Sequence, residues 1–166
     1  MNNTRMIAML LLTAVMIIPV SAADAPNWQV KVATNPLYAN VKTYTFSIEA
    51  IEGQSASGAR PVLEIEVSSK KPVIHIRWHD AIPRGNYAMM AKLGKNAPVR
   101  TGWGDGYDKT STIYVSNKEM DIVRGLLTSD TLQVETYSGS PKDLRAVFNV
   151  KGLKEAAQPF WSEIGW

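Results

Sequence analysis

The chain has 166 residues, 18 of them basic and 15 acidic, with a net charge of +3 and no cysteine. This length allows one domain of ordinary size. The missing cysteine excludes disulfides, thiol nucleophiles and Cys-ligated metal sites, and so small a positive excess is no footprint for nucleic acid.

At the N-terminus Arg5 precedes an almost wholly apolar run over residues 6–20. Pro19 then breaks any helix, and Val20-Ser21-Ala22 offers small residues to a peptidase. This is the pattern of a secretory signal peptide, cleaved after Ala22 or Ala23. The run falls short of the roughly 20 residues of a membrane span, and no cysteine follows to carry a lipid. Residues 1–22 therefore read as a signal peptide. Residues 23–166 read as a single β-sandwich-like domain in the periplasm, with no stable membrane anchor after cleavage. Arg5 leaves with the leader, so part of the basic excess is not the domain's own. Without disulfides the domain must rest on its core, and a domain of about 150 residues buries roughly 70% of its unfolded surface.

Beyond a loose leader at residues 24–26, Trp28-Gln29-Val30-Lys31-Val32 alternates apolar and polar and predicts a first strand. Asn35-Pro36-Leu37 is a turn. Tyr44, Phe46, Ile48 and Ala50 form the inward set of a second strand. Residues 53–58 (G-Q-S-A-S-G) read as a flexible loop. Leu63, Ile65 and Val67 alternate with Glu64 and Glu66, a strand with one wet face. Residues 73–80 read V-I-H-I-R-W-H-D, with Ile74, Ile76 and Trp78 pointing one way and His75 and Arg77 the other.

Pro83 and Gly85 turn the chain. Tyr87, Met89, Ala91 and Leu93 share a face, and Gly94-Lys95-Asn96 fits a hairpin loop. Val99, Thr101 and Trp103 return, and residues 102–108 (G-W-G-D-G-Y-D) read as a glycine-rich loop. Residues 112–115 form a short β-branched strand. The period then changes: Ser116 and Glu119 make a capping box, and Met120, Val123, Leu126 and Leu127 predict a helix over residues 117–127. Residues 132–137 and 144–150 form a hairpin around Ser138-Gly139-Ser140-Pro141. Gly152 opens a short terminal helix, ended by Pro159, with Phe160, Trp161 and Trp166 in the tail. About nine short strands, one middle helix and a short C-terminal helix predict a mainly β fold, an antiparallel β-sandwich or partly open barrel.

Chemical signals are sparse. His75 and His79 form H-x-x-x-H, but four strand residues span about 13 Å, too far for one metal ion unless the chain bends at Trp78. Asp105 and Asp108 lack the ligand series of a calcium loop and lie too close in one loop to flank a sugar as catalytic carboxylates. They read as turn residues. No serine sits in a nucleophile elbow, and neither a P-loop nor a dinucleotide fingerprint is present. No catalytic residue, metal ligand or cofactor is assigned. The candidate binding surface is aromatic and loop-borne: Trp103, Asp105, Tyr107 and Asp108 in the glycine-rich segment, with Trp161 and Trp166 in the tail.

Phe148-Asn149-Val150-Lys151-Gly152-Leu153, with Ala156-Ala157, Pro159 and Gly165-Trp166, resembles the ending of the VasI/TagO family of exported proteins associated with type VI secretion. Trp28, Asn35-Pro36-Leu37, Leu63-Glu64-Ile65, Trp103 and Leu126-Leu127 fit the same resemblance. Family members often carry a cysteine pair; here Glu66 or Val67 and Ile164 stand at those places, which implies a distant relative without the disulfide. The resemblance implies a context and carries over no catalytic residue. The expectation is a periplasmic, non-enzymatic accessory protein that binds another cell-envelope protein. The alternative is an inhibitor or immunity-type protein that blocks a peptidoglycan-active enzyme through the loop at Ser138–Ser140. A cell-wall hydrolase is the third reading, and it requires His75 or His79 beside Ser and Asp in one pocket.

Overall fold

The computed structural model describes residues 16–19, 28–35, 38, 41–106, 108–115, 118–136 and 142–166. Its strands are β1 (Met16–Pro19), β2 (Gln29–Thr34), β3 (Lys42–Glu49), β4 (Val62–Ser68), β5 (Lys71–Arg77), β6 (Tyr87–Leu93), β7 (Val99–Asp105), β8 (Ser111–Tyr114), β9 (Thr131–Thr136) and β10 (Arg145–Asn149). Helix α1 spans Glu119–Leu127. The C-terminus is helical in three pieces: α2 (Leu153–Ala157), a 3-10 turn (Gln158–Phe160) and α3 (Trp161–Ile164). Nine strands lie beyond residue 22, so the mainly β, antiparallel expectation holds. Among the described residues no helix is long and apolar enough to cross a membrane.

The strands form one open sheet in the order β1-β2-β3-β4-β5-β8-β7-β6-β9-β10, antiparallel throughout. It bends back on itself. Just past β3, the amide of Ile51 donates to the carbonyl of Val147 in β10 (2.7 Å), and Glu52 pairs with the same residue. The arrangement is thus a partly open barrel, bridged at one point. Gly53 makes that approach feasible: its φ is +109°, and a Cβ there would lie 2.5 Å from the Arg145 carbonyl oxygen.

Alternation decides which side chains face inward. Phe46, Leu63, Ile65, Ile74, Ile76, Met89, Val134 and Phe148 are fully enclosed. Trp78 joins them and donates its indole N–H to Thr112 Oγ1 (3.0 Å), which satisfies both buried groups. Val123 and Leu126 of α1, Leu153, Ala156 and Ala157 of α2, and Ile164 of α3 are buried in the same core.

Several local expectations are corrected. Residues 102–105 are not loop but the second half of β7, a central strand held by β6 on one side and β8 on the other. Helix α1 begins at Glu119 after Lys118, without a side-chain cap; Ser116 and Asn117 lie outside the described residues. Helix α2 ends at Ala157, just before Pro159, as expected; Pro159 itself sits in the first turn of the 3-10 piece, where an N–H is not needed, and the chain stays helical to Ile164. The loop at 53–58 is also built rather than loose: Ser55 is buried, and the Asp80 carboxylate accepts the Ala56 amide (3.0 Å).

Candidate functional site

The polar residues of β3, β4, β5 and β8 converge on the outer face of the sheet. The β4–β5 turn sets their register. Ser69 and Lys70 both have positive φ (50° and 64°), the backbone of a two-residue hairpin turn. Glu64 therefore stands opposite His75, and Val62 opposite Arg77. Pairing with β3 adds Ser47 beside Glu64 and Thr45 beside Glu66. Pairing with β8 brings Ser111 opposite Arg77.

Arg77 crosses to Glu64 and donates to both carboxylate oxygens (2.6 and 2.8 Å). Beside this pair lies a depression of about 170 Å³ lined by Thr45, Glu66, His75, Asp108 and Ser111. A larger one of about 450 Å³ shares Glu64 and Arg77 and extends to Gln29, Ser47, Glu49 and Asn149. The larger is mostly polar and both are half-open to solvent, so the face suits a macromolecular surface better than an enclosed small ligand.

His75 is 8% exposed although it points outward. Burial lowers its pKa below the ordinary histidine value and outweighs the opposing pull of Glu66 and Glu64. Asp108 is a local organiser. Burial works to raise its carboxyl, but the Thr110 amide (2.9 Å) and the Ser111 hydroxyl (2.8 Å) both donate to Oδ1, and its pKa ends below the usual carboxylate value.

His75, Asp108 and Ser111 thus share one depression, the grouping that the hydrolase reading requires. Their hydrogen bonding does not follow a nucleophile's order. A serine nucleophile gives its proton to a base that a third group orients; here the Ser111 proton goes to Asp108. His79 sits past β5 in an exposed bend with φ of 59°. Among the described residues no group of three or more His, Asp or Glu side chains is placed to hold a metal ion.

The five described candidate surface residues do not form one patch. Trp103 is 3% exposed, packs edge-to-face on Tyr114 (5.5 Å) and donates to Thr101 Oγ1 (2.9 Å). It is a core residue, because β7 alternation turns it inward with Thr101. Asp105 is exposed and accepts the Gly85 amide (2.7 Å). Tyr107 lies outside the described residues, as do Ser138–Ser140. Asp108 belongs to the polar depression. Trp161 and Trp166 are half-buried against the core, with the Trp166 ring 5.4 Å from Phe46. The tail is cover rather than an exposed aromatic patch, and Glu163 clasps it down by accepting from Lys42 (2.9 Å) and from the Tyr44 hydroxyl. Sequence reading missed Gln29, Ser47, Glu64 and Arg77. Their signal was present as the polar half of each alternating strand.

No protein-family model matches the chain, and no curated protein matches it. Among solved structures, the crystal structure of invasion associated protein B from Bartonella henselae is similar, with a TM-score of 0.55 at 10% identity over 83% of this chain and 94% of that one. At that identity the likeness concerns the fold alone.

Proposed function

We propose that this chain is an exported, non-enzymatic binding protein that engages another protein of the cell envelope through the outer face of β2–β5. The observation that carries the reading is the continuous polar strip from Gln29 through Ser47 and Glu64 to His75, with Arg77 beside it. It borders two half-open depressions, and it carries both signs of charge. Such strips give specificity through charge matching at a protein surface. The Ser111–Asp108 hydrogen bond supports a binding role over hydrolysis. The apolar run at residues 6–20 supports export, and the C-terminal resemblance to VasI/TagO proteins supports type VI secretion as the setting.

Photo-crosslinking in the periplasm tests this. A crosslinker at Ser47 or Glu66 is expected to capture one envelope protein, and one at Lys154, on the exposed side of α2, is not. Arg77→Glu is expected to abolish the capture. Recovery of monomer alone from both outer-face positions would overturn the proposal.

A further inference from the structure

The strand β1 lies inside the segment read as the signal peptide. It pairs antiparallel along β2, with Met16 opposite Val32, Ile17 opposite Lys31, Ile18 opposite Val30 and Pro19 opposite Gln29. On its other side β2 is fully paired with β3 over all six residues, without a bulge. Removing the leader would strip β2 of this ladder over Gln29–Val32. The result is a six-residue edge bearing free N–H and C=O groups on alternate residues, with no proline in it and Lys31 as its one charge. Edges of this kind template the addition of another strand.

We infer that the exported chain holds its partner by strand addition: an extended segment of the envelope protein takes the place of β1 on β2. This rests on the export reading above and names how the partner is held. The segment's chemistry follows from the edge. With β1 in place Val30 is 2% exposed and Val32 half-buried, so the incoming strand needs apolar residues at the two positions opposite them. Lys31 is exposed between them, so an acidic residue opposite it adds a favourable cross-strand pair. An added strand would also border the polar strip, because Gln29 lines the larger depression as well as the edge. Backbone pairing supplies affinity and the strip supplies selection.

The test starts from the full chain expressed in a bacterium with a periplasm. Intact mass of the periplasmic product reports whether the leader is gone. Hydrogen exchange by NMR then follows the amides of Gln29–Thr34. The probe is a nine-residue peptide of residues 14–22 carrying Ile17→Glu; the control peptide carries Ile18→Pro in addition. The expected result is fast exchange at alternate β2 amides, slowed about 10-fold or more by the probe and unchanged by the control. Unchanged exchange with saturating probe on a correctly processed chain overturns strand addition and leaves export standing. Amides already protected in a species of twice the monomer mass overturn it in favour of a second copy on the edge. A mass that retains residues 1–22 overturns the export reading, and the edge with it, since β1 then never leaves.

Discussion

Ile76→Ala probes whether the inner face of β5 carries the core. Ile76 is fully enclosed, with Leu63 opposite it on β4 and Thr112 on β8. The substitution removes three buried carbons, at about 0.8 kcal/mol each, so transfer alone costs about 2.4 kcal/mol. The site is walled by paired strands on both sides and cannot collapse fully, so a cavity term adds to this. A total of about 3–4 kcal/mol follows, inside the range for such truncations. With a urea m-value near 2 kcal/mol/M, the unfolding midpoint should fall by about 1.5–2 M at unchanged m. Glu66→Ala, on the outer face of β4, is the control and should change stability by no more than about 0.5 kcal/mol. A loss below about 1 kcal/mol for Ile76→Ala, or one matching the control, would mean that the inward face is misassigned.

Gly53→Ala should cost about 2 kcal/mol or more, because the new Cβ meets the Arg145 carbonyl and the φ is one that alanine avoids; a melting scan should show a drop of about 4–8 °C. Glu163 is held below the ordinary glutamate value of 4.5, first by the Tyr44 hydroxyl and then by Lys42. A depressed carboxyl adds stability above that value and loses it as pH falls through the folded one. The melting advantage of the native chain over Glu163→Gln should therefore shrink below about pH 4.5, and a pH-independent gap would remove the clasp. For His75, NMR titration should give a midpoint below 6.5, since burial opposes protonation. The unfolded chain then binds the extra proton first, so this group's contribution is present above pH 6.5 and lost as pH falls through the folded midpoint.

Period-two alternation made most of the fold legible. Tyr44, Phe46 and Ile48, then Leu63, Ile65 and Val67, announce their buried faces with no gap in the pattern. Glycine misled at residues 102–105. Gly104 is not a loop residue; a Cβ there would come within 2.9 Å of the Val115 side chain, so the strand needs glycine for space. Trp103 was misassigned with that segment and is carried inward by the same strand. The candidate site was legible only in pieces. His75 and Asp108 each drew notice, but they meet because β5 pairs with β8, across a gap in sequence from Arg77 to Ser111. No local pattern encodes a pairing that skips two strands.

The strand order also has a kinetic side. β2–β5 form one meander and β6–β8 another, with β9 and β10 a hairpin attached to β6; each is built from neighbours in sequence. While β6 and β9 share a longer five-residue register, the β2–β5 block joins the other two at two narrow seams. One is the three-residue register of β5 and β8, and the other is the single Glu52–Val147 bridge. Local hairpins form in microseconds, whereas contacts distant in sequence must first overcome loop-closure entropy. Folding should therefore wait on the seams, and a transition state polarised toward β5–β8 would place Ile76 and Thr112 among its high-φ-value positions. The same seams would be the first lines along which the native barrel opens.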